Sequence, residues 1–122
     1  MDTLRAVMST SLVTVGVDAT VAEAAEVMSI NHVGAALIAD GDTLHGIFTE
    51  RDIVRALAAE HDAAAHAVTG WMTKDPVTMG PEATVAEALD RMLEAGFRHI
   101  PITEGGRLLG IVSLRDLSGR LG

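Results

Sequence analysis

The chain is one unit written twice. Laid on itself at an offset of 64 residues it matches without a gap, 3–58 against 67–122, and 19 of those 56 pairs are identical. The longest identical run is Ala19-Thr20-Val21-Ala22-Glu23-Ala24 against Ala83-Thr84-Val85-Ala86-Glu87-Ala88. A repeat this long is a whole supersecondary unit, not one turn of a solenoid, and two copies suggest a pseudo-twofold pair. Neither half carries enough apolar surface to be comfortable alone. The expectation is therefore one compact module divided as 1–64, which includes the joint, and 65–122.

Within a copy the local signals run strand, helix, strand, strand, helix. Leu4 to Met8 is short and apolar, enough for one helical turn. Leu12-Val13-Thr14-Val15, β-branched at its last three residues, predicts a strand. Thr20-Val21-Ala22-Glu23 is a capping box, and Val21, Ala24, Ala25 and Met28 continue it as one apolar helical stripe to about Asn31. Ala35 to Ala39 predicts a buried strand, Asp40-Gly41-Asp42 a turn, and Leu44 to Phe48 the return strand of a hairpin. Thr49 then caps a helix reaching about Glu60. His61 to Ala67 is alanine-rich, which predicts a short helical joint instead of a flexible tether. The second copy repeats the plan: a strand at Pro76 to Met79, a capping box at Thr84 to Glu87, a helix with Val85, Ala88, Leu89 and Met92 that stops at Gly96, a hairpin over 98–112, and a last helix from Ser113. Two βαββα copies of this kind predict an α/β (α+β) layer architecture.

The bulk composition narrows the function classes. At 48% hydrophobic residues the chain is not expected to be disordered. A net charge of −8 repels nucleic acid on average, and two phenylalanines with one tryptophan make no stacking platform for RNA. There is no cysteine, hence no disulfide or thiolate metal site. The start, Met1-Asp2-Thr3-Leu4-Arg5, has no basic region or long apolar run, so neither a signal peptide nor a membrane span is expected and a cytoplasmic home is. His61 and His66 are five apart, too far for an i, i+4 metal face, and no metal site is expected. No Gly-x-Ser-x-Gly elbow, P-loop or nucleophile–base pair is present, so no enzyme activity is expected.

One junction occurs in both copies: Gly46-Ile47-Phe48-Thr49-Glu50-Arg51-Asp52 and Gly110-Ile111-Val112-Ser113-Leu114-Arg115-Asp116. A buried strand runs into a helix, with a hydroxyl at the junction and a carboxylate three residues on. The pattern suits an ordinary cap. It also suits a nucleotide: a carboxylate only accepts hydrogen bonds and can take both cis hydroxyls of a ribose, while a hydroxyl and free amides at a helix start suit a phosphate. The two readings are compatible, because a cap can turn outward when ligand arrives.

The repeat order, the Thr-Val-Ala-Glu-Ala helix start, the Gly-Ile-x-Thr/Ser-x-x-Asp junction and the Met-Thr-x-x-Pro-Val-Thr stretch at Met72 to Thr78 resemble a tandem pair of cystathionine-β-synthase (CBS) domains, a Bateman module, over essentially the whole chain. The resemblance implies regulatory binding of adenosine compounds (AMP, ADP or ATP, with S-adenosylmethionine in the same class) in clefts between the repeats, on behalf of an enzyme or transporter. In the family, positions matching Asp52 and Asp116 hold the ribose, and those matching Thr49 and Ser113 bind near the ribose or phosphate. The base lies against apolar side chains and backbone near the first strand of a copy, which points to Val13 and Val15 and to Val77 and Met79. Some nucleotide-binding pairs carry His-Arg just before a Leu-Pro. Here the order is Arg98-His99 before Ile100-Pro101, and the first copy has Gly34-Ala35 instead. Arg98 and His99 could neutralise a phosphate, and Lys74, the only lysine, could add charge. Unequal sites are therefore expected. The leading expectation is a stand-alone adenine-nucleotide sensor, homodimeric through free helix faces, with an unknown effector protein. The alternatives are a ligand-free dimerisation scaffold and an accessory subunit of a separate enzyme or transporter.

Overall fold

The computed structural model describes residues 2–119. The two capping boxes form as the spacing requires. Thr20 and Thr84 each accept the amide three residues on at 3.1 Å, and Glu23 and Glu87 return to the cap amides at 3.0 and 3.1 Å. They start α2 (Val21–Asn31) and α4 (Val85–Ala95), whose stripes of Val21, Ala24 and Met28 and of Val85, Ala88, Leu89 and Met92 are buried. Both helices stop on a left-handed residue, Gly96 at φ 82° and His32 at φ 54°. Glycine takes that conformation freely, whereas histidine holds it against its own Cβ.

The chain packs as two units, Val13–Pro76 and the residues up to Leu12 together with those from Val77 onward. The first holds a sheet of β1 (Thr14–Val15), β2 (Ala35–Asp40), β3 (Thr43–Thr49) and β4 (Thr73–Lys74), in that order, with β1 parallel to β2 and the other pairs antiparallel. Against it lie α2 and α3 (Glu50–Ala59), around a core that includes Phe48, Ile38 and Val68. The second unit holds the hairpin β5 (His99–Glu104) and β6 (Arg107–Ser113), α4, α1 (Leu4–Val7) and α5 (Leu114–Ser118), around Leu4, Ile100, Ile102 and Leu117. Its outer strands shrink to single bridges, Met79 to Ile102 and Ser9 to Ile111.

The packing units exchange their first segments relative to the sequence repeats. Residues before the second repeat's core do for the first unit what the chain's own start does for the second. Val21 N donates to His66 O at 2.9 Å, as Val85 N donates to Asp2 O at 3.1 Å. Val68 and Leu4, at matching positions, are both wholly buried. Arg5 fastens its turn by pairing with Glu82 at 2.8 Å and Glu104 at 3.4 Å. The exchange also explains the glycine of each Gly-Ile pair. A Cβ at Gly46 would stand 2.8 Å from the Thr73 carbonyl oxygen, and one at Gly110 would stand 2.7 Å from that of Ser9.

Three local expectations change. The strand expected over 76–79 is one bridge at Met79, and Pro76 has no N–H to give a ladder; Thr73 and Lys74 ahead of it pair with β3 in the first unit. The first strand is shorter than its apolar run, beginning at Thr14. The joint is helical only as one 3-10 turn, Ala63–Ala65, and a second such turn, Val68–Gly70, follows it.

Candidate functional site

The candidate residues fall into two sets, one in each unit: Val13, Val15, Thr49, Asp52 and Lys74 in the first, and Val77, Met79, Arg98, His99, Ser113 and Asp116 in the second. Lys74, on β4 opposite Gly46, is therefore grouped with Asp52 and not with Arg98.

In the first unit the junction closes on itself. Asp52 is 5% exposed, the one buried charged side chain among the described residues. Its Oδ2 accepts from the Thr49 amide at 3.0 Å and the Thr49 hydroxyl at 3.3 Å, and its Oδ1 accepts from Arg55 Nη1 at 2.7 Å. Three charge-assisted bonds offset the cost of taking a carboxylate out of water. The Arg55 guanidinium also lies 5.8 Å from the centre of the Trp71 ring, within reach of the indole face. Trp71 Nε1 donates to His66 Nδ1 at 3.4 Å, and His66 Nε2 meets Asp62 Oδ1 at 3.1 Å. Trp71 is half-buried against the core of this unit. Val13 and Val15 are half-buried beside it.

In the second unit the same motif stays open. The Ser113 Oγ accepts from the Asp116 amide at 3.2 Å, so the hydroxyl half of the cap forms. The Asp116 side chain is exposed, and within its unit no side chain among the described residues pairs with it. His99 stands directly across the ladder from Ser113, and the Arg98 carbonyl accepts the Leu114 amide at 2.8 Å. Arg98, His99, Ser113 and Asp116 thus share one end of the β5–β6 hairpin. Arg98 is exposed and His99 half-buried. The matching contacts in the first unit, Ala35 across from Thr49 and Glu50 N on Gly34 O at 3.1 Å, carry no basic side chain. Met79 pairs with β5 and is half-buried, while Val77 is exposed.

The sequence profile of the CBS domain matches residues 4–59 and 67–122. The chain is a CBS-domain pair. An uncharacterized 17.7 kDa protein of Acidianus ambivalens is 41% identical over 117 residues, which cover 94% of this chain and 70% of that one. Other curated relatives are longer, and the chain spans 66% and 42% of two of them. The crystal structure of a CBS-domain containing protein from Agrobacterium tumefaciens superposes with a TM-score of 0.94 at 32% identity, covering 99% of this chain and all of that one. A further CBS domain pair, solved in complex with 5-methylthioadenosine and S-adenosyl-L-methionine, shares the fold at a TM-score of 0.90 and 24% identity, over 99% of this chain and 96% of that one.

Arg55 is the residue in this CBS pair that sequence reading passed over. Two signals could have found it. Asp52 and Arg55 are an i, i+3 ion pair on one helix face, and the repeat breaks there, with Gly119 at the matching position of the second copy. No helix among the described residues is long and apolar enough to cross a membrane.

Proposed function

We propose that this CBS pair is a regulatory module, not an enzyme, that binds adenosine nucleotides of the AMP, ADP or ATP class in the cytoplasm and signals to an effector protein by shifting a conformational equilibrium. The observation that carries the reading is the end of the β5–β6 hairpin. An exposed Asp116 offers two acceptors for a ribose diol, and Ser113, Arg98 and His99 beside it offer donors for a phosphate. The solved pair that holds 5-methylthioadenosine and S-adenosyl-L-methionine supports the reading as far as the fold goes. A thermal-shift panel of AMP, ADP, ATP, GTP and S-adenosylmethionine tests it. A ligand that binds only the native state raises its stability by about 2.7 kcal/mol at a hundred times its Kd. At least one adenosine ligand should raise the midpoint more than GTP does, and a flat panel would reject the reading.

A second reading, an interaction scaffold, is favoured by the capping-box helices, where Ile30 is 67% and Leu93 74% exposed. Such apolar faces suit a twofold homodimer. Light scattering should give twice the chain mass, and a monomer mass across the micromolar range would exclude the dimer.

A further inference from the structure

We infer that Arg55 determines which repeat takes ligand: by occupying Asp52 it withdraws the first repeat's carboxylate and leaves Asp116 to accept the ribose. The inference rests on the ribose reading of the two aspartates, and it goes beyond the missing basic pair of the first repeat. It names an internal group that competes with ligand.

A carboxylate offers about four lone-pair positions. At Asp52 three already accept, from the Thr49 amide, the Thr49 hydroxyl and Arg55. A cis diol needs two, so one donor must let go, and Arg55 is the one that is not part of the helix cap. Arg55 does not stand alone. Its guanidinium lies against Trp71, and Trp71 is tied through His66 to Asp62. The fork is thereby held in place from its far side, which lowers the entropy lost in each bond that it makes. Among the described residues nothing comparable stands in the second repeat. The positions matching Arg55 and Trp71 are Gly119 and Val7, with neither a cation nor a ring. The motif is thus the same in both copies, and among the described residues the occupant is present in only one.

The test uses AMP calorimetry on the full chain. Asp116→Asn should bind AMP at least about tenfold more weakly than the wild type, since one charge-assisted pair is lost. Adding Arg55→Ala to Asp116→Asn should restore binding by about tenfold, and adding Asp52→Asn to that double variant should remove the gain. Arg55→Gln serves if the alanine variant folds poorly. No gain on removing Arg55 overturns the inference. So does a further loss, which would make Arg55 a phosphate ligand instead. A ligand-free arm separates this from the function itself. In a double-mutant cycle on Asp52 and Arg55 by denaturant unfolding, coupling of about fivefold in the folding equilibrium is expected, with a change in the emission of Trp71, the only tryptophan, in Arg55→Ala. Additive effects overturn the inference even if AMP binds. Clear coupling with no AMP binding in any variant overturns the ribose reading, and with it the ligand consequence of the contact.

Discussion

The two hydroxyl–carboxylate junctions share their motif, their strand–helix setting and a cap amide, but their chemistry diverges. Thr49 and Asp52 form a closed cluster in which the buried carboxylate accepts from the Thr49 amide, the Thr49 hydroxyl and Arg55. Ser113 and Asp116 keep only the hydroxyl half of the cap and leave the carboxylate in water, next to Arg98 and His99. One motif therefore stands in two states, and in the first a cation and a ring lie behind it. A carboxylate that is buried and paired holds structure, and one that is exposed and unpaired within its unit is available to a ligand.

The largest expected effect separates these two aspartates by binding. Asp116→Asn should lower AMP affinity by roughly one to two decades, from about 1.5–3 kcal/mol of charge-assisted bonding, with little change in stability because asparagine caps well. Isothermal calorimetry beside a melting curve checks both halves, and unchanged affinity in a protein that binds AMP would remove Asp116 from the site.

Next in size is a pair of changes that should be alike in both units. Gly46→Ala and Gly110→Ala each force a Cβ against a backbone carbonyl, at 2.8 and 2.7 Å. Each should cost about 1–3 kcal/mol in denaturant unfolding, the range for overpacking. If only one of them hurts, the exchanged segments do not do the same work in the two units.

Asp52→Asn should then show the opposite signature to Asp116→Asn, a loss of about 1–2 kcal/mol of stability with little change in AMP affinity. The figure is reduced from that for a fully buried pair because the Arg55 side chain is 55% exposed. A loss of affinity without loss of stability would make the two junctions equivalent after all.

The smallest effect concerns the basic pair that only the second repeat has. Arg98→Ala should weaken AMP about fivefold while leaving adenosine nearly unchanged, as expected for one partly screened charge contact. It should also flatten the salt dependence of AMP binding. Equal losses for AMP and adenosine would show that Arg98 does not meet the phosphate.

The sequence by itself determined what is local and periodic. Both capping boxes, the apolar stripes of α2 and α4, the Gly41 and Gly105-Gly106 turns and the Gly96 stop depend on neighbours a few residues away, and all are legible from spacing. The repeat made the order of elements readable twice. Only the tertiary structure decided what depends on distant chain. The turn at Leu4–Val7 and the joint around Val68 complete units that their place in sequence does not suggest, and the close approach of Ser9 and Thr73 is what reserves Gly110 and Gly46. The same holds for the candidate site. The spacing from Thr49 to Asp52 and from Ser113 to Asp116 is identical, so that spacing by itself does not tell a buried carboxylate from an exposed one. Arg55, three residues on in the same helix, is the local part of the difference; the Trp71 ring that it lies against comes from beyond the end of that helix, and only the tertiary structure brought it there.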